Sequence, residues 1–157
     1  MGSKQDRYSL EVHPFDDFIS DTTERLIIGT FPTHKKNRQF EFYYGNDSNH
    51  FWTIIADIFK VRFERIKGES AIEERKTFAV QHNIGFTDML ELCYRRNDYS
   101  GDEHLYPVKW KDITVILEDY PSIKTLIFTS RTDAIGALGL FKTLLQKKGI
   151  KEPEFES

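Results

Sequence analysis

The chain has 157 residues, 39% of them hydrophobic and 14% aromatic, enough to bury one sizeable core, so a single domain over 1–157 is expected. It has no run of about 18 apolar residues, and its start, MGSKQDRYSLEVHP, lacks the apolar stretch and cleavage site of a secretory leader; a soluble, cytoplasmic protein with no membrane partner is expected. A formal charge of −3 excludes a global pull toward nucleic acid, and the single Cys93 excludes both an intramolecular disulfide and a four-cysteine iron-sulfur cluster.

Taken in chain order, the first apolar run is RLIIG (25–29). It is brief, β-branched and closed by glycine, which predicts a buried strand. HKKNR (34–38) follows as a local basic patch, read either as a phosphate contact through Lys35, Lys36 and Arg38 or as a solvated loop. Next comes YYGNDSNHFW (43–52), in which pairs of large rings enclose the polar knot GNDSNH. From Asn49 onward Phe51, Ile54, Ile55, Ile58 and Phe59 recur at helical spacing, so the knot sits at a helix N-terminus that Ser48 or Asn49 can cap. GESAIEERKTFAVQH (68–82) predicts a second helix, with Ser70 and Glu73 forming a capping box.

IGFTDML (84–90) reads as a second strand, and ELCYRRNDYSGDEHLYP (91–107) as a long loop too polar and broken for a regular element. Within that loop Arg95 and Arg96 stand beside hydroxyls and amides, a composition suited to phosphate contact although its acidic members oppose it. WKDITVILEDY (110–120) has helical spacing, TLIFTS (125–130) is a third strand, and DAIGALGLFKTLLQKK (133–148) a further helix. The histidines are scattered without spaced Cys or carboxylate partners, so no metal site is expected.

Strands alternating with helices imply a parallel sheet covered on both faces, with a ligand beyond the C-terminal strand ends. Those ends carry Gly29-Thr30-Phe31-Pro32-Thr33, Thr87-Asp88 and Thr129-Ser130-Arg131. Small hydroxyls and one aromatic suit a planar, hydrogen-bonding ligand; the same Thr and Ser residues are also ordinary helix caps.

IIGTFPT, YYGNDSNHFWTIIADIF, IGFTDMLELCYRR and LIFTSRTDA, in that order, resemble the uracil-DNA glycosylase superfamily over roughly residues 13 to 141. The mismatch-specific and hypoxanthine-specific branches are the most similar, through Gly29-x-x-Pro32 followed by Tyr44, a polar turn and Asn49-x-Phe51-Trp52. The resemblance implies a three-layer α/β/α sandwich with a short, mostly parallel central sheet. It implies a base-excision repair enzyme that hydrolyses the N-glycosidic bond of a flipped uracil or hypoxanthine in DNA, with no cofactor. Tyr44 would stack on the base, with Phe51 and Trp52 left to packing. Gly29, Thr30, Phe31, Pro32, Thr129 and Ser130 would bind it, and Asn46, Asn49 and Asp88 would place water or stabilise the sugar cation. A monomer is expected. The residues alone leave Asn49 open as a helix cap, and Asp88 as a cap or the ion-pair partner of Arg95 or Arg96.

Two features depart from the pattern. Phe31 stands where many relatives carry Asp or Asn, and a phenyl ring cannot take a proton. The superfamily's last motif, a His-Pro-Ser-like loop after a fourth strand, has no match; Tyr120-Pro121-Ser122 precedes the third strand and so lies at the wrong end of the sheet. A non-catalytic nucleic-acid- or nucleotide-binding protein is therefore the rival expectation, and hydrolysis of a free nucleoside a second. His13-Pro14-Phe15 reads as a packed N-terminal arm.

Overall fold

The computed structural model describes residues 5–131 and 135–156. Its elements, in chain order, are β1 (Tyr8–Val12), β2 (Arg25–Gly29), α1 (Phe51–Phe59), α2 (Gly68–Gln81), β3 (Ile84–Asp88), β4 (Leu90–Arg96), β5 (Leu105–Trp110), α3 (Ile113–Asp119), β6 (Thr125–Phe128) and α4 (Ala137–Lys147). Strands β3, β2 and β6 form a parallel three-stranded sheet with β2 central. Strand alternation explains how β2 serves two layers. Leu26 and Ile28 point into a core with Ile113 and Ile116 of α3 and Leu140, Phe141, Leu144 and Leu145 of α4. Ile27 points the other way, joining Phe86 of β3, Trp52 of α1 and Ile72 and Phe78 of α2. This is the expected α/β/α sandwich.

The stretch expected as a loop over 91–107 is instead a second sheet. Strands β1, β4 and β5 pair antiparallel in the order β1-β4-β5, joined by residues 97–104. Its inner face sends Cys93 and Leu105 into the α3/α4 core, while Tyr8, Leu10, Tyr94 and Tyr106 stand exposed on the other. One solvated face makes an antiparallel strand look polar in sequence. A single residue, Met89, joins the sheets: its N–H donates to Gly29 O of the parallel sheet and its carbonyl accepts from Lys111 N, both at 2.8 Å.

Three further expectations need correction. Helix α2 begins at Gly68 with Lys67 in the N-cap position and no side-chain cap, so Ser70 lies inside the first turn and no capping box forms. Trp110 ends β5 rather than opening a helix, and α3 is capped by Asp112, whose Oδ1 accepts from Thr114 N at 3.0 Å. Strand β3 ends at Asp88, two residues before the expected end. The helix expected over 133–148 is found as Ala137–Lys147; Asp133 and Ala134 lie outside the described residues. Tyr120-Pro121-Ser122 does precede β6, with Ser122 donating to Thr23 O at 2.8 Å ahead of β2. No described helix is long and apolar enough to cross a membrane.

Candidate active site

Strand β2 leads through α1 and α2 to a neighbour on one side, and β3 leads through the second sheet and α3 to β6 on the other. The C-terminal end of β2 is thus a topological switch point, where open α/β sheets leave a crevice. A cavity of about 710 Å³ opens there. Every residue expected to bind or act on the base lines it: Gly29 to Pro32, Tyr44, Asn46, Asn49, Asp88, Thr129 and Ser130. The volume suits a small planar ligand, for which pockets run from about 300 to 1,000 Å³.

The polar knot after Tyr43 builds one wall. Gly45 is required because a Cβ there would lie 2.4 Å from Phe40 O; the close approach lets Gly45 O accept from Gln39 N at 2.7 Å. Tyr44 takes a left-handed backbone (φ 58°), a conformation that costs an aromatic residue strain and is tolerated where the surroundings impose it. Its ring stacks on Phe51 with centroids 4.2 Å apart, and its hydroxyl meets Thr129 Oγ1 at 3.0 Å. Burial and the Asp88 carboxylate push the Tyr44 hydroxyl above its ordinary range, so it stays neutral. The N-cap position of α1 is His50, without a side-chain cap, rather than Ser48 or Asn49; Asn49 lines the cavity, and its Oδ1 accepts from Phe51 N at 2.8 Å from just ahead of the helix. Asn46 Nδ2 donates to Ser48 Oγ at 2.9 Å. Trp52 is structural: it is buried, stacks on Phe42 and donates Nε1–H to Tyr43 O at 2.9 Å. Deleting such a ring typically costs about 3–5 kcal/mol.

The floor holds two carboxyl groups in different surroundings. Asp88, at the end of β3, pairs with His13 rather than with Arg95 or Arg96; its Oδ2 lies 2.7 Å from His13 Nε2, and both side chains are almost wholly buried. With Nε2–H donating to Asp88, Nδ1 accepts from Phe15 N at 3.1 Å; a protonated ring would instead donate to Phe15 O at 2.9 Å. Asp88 Oδ1 faces Gly29, where an added Cβ would lie 2.4 Å from it and 2.8 Å from Tyr44 Oη. Phe31 packs edge-on against His13, centroids 5.5 Å apart, so the residue that departs from the family pattern supports the ring that holds Asp88.

The second carboxyl, Asp102, comes from the loop between β4 and β5. Thr30 Oγ1 donates to Asp102 Oδ2 at 3.0 Å and lies 3.2 Å from Ser130 Oγ, which in turn accepts from Ala137 N at 2.7 Å. Burial raises the Asp102 pKa, and the hydroxyls of Thr30 and Ser130 oppose the rise. Sequence reasoning missed Asp102 and gave His13 only a packing role. Their partners stand 72 and 75 residues away.

The phosphate expectations separate. Arg95 is fully buried, donating to Glu11 Oε2 (2.6 Å), Pro32 O (2.6 Å) and Tyr99 O (2.7 Å), so it clamps β1 and the β2 loop to the second sheet and is not a phosphate contact. Arg96 lies on that sheet, 3.8 Å from Asp6 and away from the cavity lining. Arg38 lines the cavity but is tethered to Thr33 O at 2.9 Å and to Glu41. Lys35 and Lys36 are exposed on a short 3-10 turn, Lys36 paired with Asp98. Cys93 is buried and its thiol pushed up to about 12, which leaves it protonated and unreactive. Among the described residues no three His, Cys, Asp or Glu side chains are placed to hold a metal ion.

The structure is thus a three-layer α/β/α sandwich with an aromatic- and carboxyl-lined cavity at its switch point. The solution NMR structure of a proposed uracil DNA glycosylase from Methanosarcina acetivorans shares this fold with TM-score 0.64 and 21% identity, over 94% of this chain and 83% of that chain. In sequence the chain is 26% identical over 141 residues to a hypoxanthine DNA glycosylase of Methanosarcina acetivorans, and 23% identical over 137 residues to one of Methanosarcina barkeri. Each match spans 87% of this chain and 79% of the relative. No protein-family profile matches. Fold and sequence together support a place in the uracil-DNA glycosylase-like superfamily.

Proposed function

We propose that the protein is a DNA N-glycosylase that releases a deaminated base, uracil or hypoxanthine, from a nucleotide flipped out of the duplex. The observation that carries this reading is the convergence of the motif residues from β2, the Tyr44 turn, β3 and β6 on one cavity of about 710 Å³. The similarity to two hypoxanthine DNA glycosylases supports it from sequence. A base removed from the stack must be held by its face and its edge. Tyr44 supplies the face, stiffened from behind by Phe51. The Gly29 to Phe31 loop, with Thr129 and Ser130, meets the edge.

Hydrolysis then adds water to the anomeric carbon as the glycosidic bond breaks and its electron pair leaves with the base. Asp88, oriented by His13, receives the water's proton or stabilises the sugar cation, and the Asn46 and Asn49 amides place the water. This chemistry uses one copy of the chain and no cofactor. Phe31 at the usual Asp or Asn position does not count against catalysis, because Asp88 supplies a carboxylate within the same cavity.

Single-turnover reactions with excess protein, on duplexes carrying uracil or hypoxanthine and read by alkaline cleavage at abasic sites, test the proposal. Release is expected for at least one base. Tyr44→Ala should slow it by roughly 10- to 100-fold, since base stacking is worth about 1–3 kcal/mol, and Asn49→Ala should suppress it as well. No release of either base would leave a binding protein on a glycosylase scaffold.

A further inference from the structure

We infer that Asp102 is the acid that delivers a proton to the departing base, dividing the reaction with Asp88 across one cavity. The inference rests on the glycosylase reading and assigns a step that reading leaves open. Loss of a purine as a bare anion is slow, so a site that releases one needs a proton at the base. Among the described side chains that line the cavity, two carboxyl groups are available: Asp88 and Asp102.

Their surroundings push them toward opposite roles. Asp88 is held in place by the His13 imidazole, whose Nε2 lies 2.7 Å from its Oδ2, with its Oδ1 left facing Gly29. Asp102 meets only hydroxyls, Thr30 at 3.0 Å and Ser130 beside it. The other groups facing it are Asp88, Glu103 and the neutral Tyr44; both carboxylates add to the burial that favours its protonated form. Two carboxyls in one cavity, one braced by an imidazole and the other buried among hydroxyls, can divide the acid and base roles between them.

The Asp102 carboxyl gives its proton to the base as the C–N bond breaks and the electron pair goes to the ring. Water adds to the anomeric carbon and gives its proton to Asp88. Solvent exchange then returns one proton to Asp102 and removes one from Asp88, and no co-reactant other than water is consumed. The hydroxyls of Thr30 and Ser130 can donate to the carboxylate that Asp102 becomes, which lowers the barrier to its giving up the proton.

The sign of the pH dependence follows. An acid with a raised pKa is active below that pKa and loses activity as the pH rises through it. The test is the single-turnover rate on a hypoxanthine duplex across pH, for the unaltered protein, Asp102→Asn and Thr30→Val, with duplex affinity and melting temperature measured beside it. The unaltered protein should show an alkaline fall. Asp102→Asn, which keeps the shape and the hydroxyl contacts, should be slower by about 10²- to 10⁴-fold, bind duplex normally and lack that fall. Thr30→Val removes a hydrogen bond that favours the carboxylate, so it should move the fall to higher pH. Asp102→Asn with a rate within threefold of the unaltered protein would overturn the assignment. So would a uniform slowing that preserves the alkaline fall, or a Thr30→Val fall that moves downward or stays. If the unaltered protein releases neither hypoxanthine nor uracil, the glycosylase reading itself fails.

Discussion

Gly29 is tightly constrained, because the space its missing side chain would occupy is where Asp88 Oδ1 and Tyr44 Oη converge. A Cβ 2.4 Å from one and 2.8 Å from the other must push at least one aside. Gly29 sits in a β2 strand whose backbone any residue can adopt, so Gly29→Ala should fold and lose activity rather than unfold. We expect at least a 100-fold drop in single-turnover rate, the approximate cost of misplacing a reacting group by about 1 Å, with the far-ultraviolet circular dichroism unchanged. Near-normal activity would mean that Asp88 and Tyr44 need not lie this close. Tyr44, Asn46 and Asn49 were legible because they lie within one local pattern that a reader of sequence can see. His13 and Asp102 were not. Each is defined by a partner more than 70 residues away, and no spacing rule records a contact of that kind.

Among the elements, β2, α1, α2, β6 and α4 lie within a few residues of their expected places, α1 through its apolar spacing and β2 through its short apolar run. The second sheet was invisible for two physical reasons. Its strands bury one face only, and on that face β4 carries an arginine, which hides the apolar alternation. Arg95 also misled at the level of function, since two adjacent arginines in an apparent loop look like a phosphate site. As a fully buried cation paired with Glu11 it is instead a fastener, and breaking a buried pair by removing one partner costs about 3–5 kcal/mol. Arg95→Ala should therefore lower the denaturant midpoint sharply while leaving the salt dependence of DNA binding unaltered. A stable variant with a weaker salt dependence would restore Arg95 as a phosphate contact.

The whole molecule carries a formal charge of −3, so DNA affinity cannot rest on a broad electrostatic field. The proposed contribution must come from a few local cations, of which Lys35 and Lys36 are exposed on the short turn after the β2 loop. A shallow slope of log affinity against log salt is expected, and Lys35→Ala should reduce it by about one unit; an unchanged slope would remove Lys35 from the DNA surface. The single-residue splice at Met89 sets a different kind of limit, on how the chain can change its length. Side chains alternate along β4 from Cys93 onward, beyond the irregular register at Leu90–Cys93, so gaining or losing one residue just before Cys93, with no further irregularity to absorb it, would exchange the faces beyond it. Cys93 and Arg95 would turn to solvent and Tyr94 into the core. Insertions can accumulate in the 97–104 loop, which carries Asp102, but the run from Cys93 to Arg96 must keep its register. A protein of this build can change what its cavity accepts by exchanging side chains and lengthening one loop, while Arg95 keeps its place on the inner face.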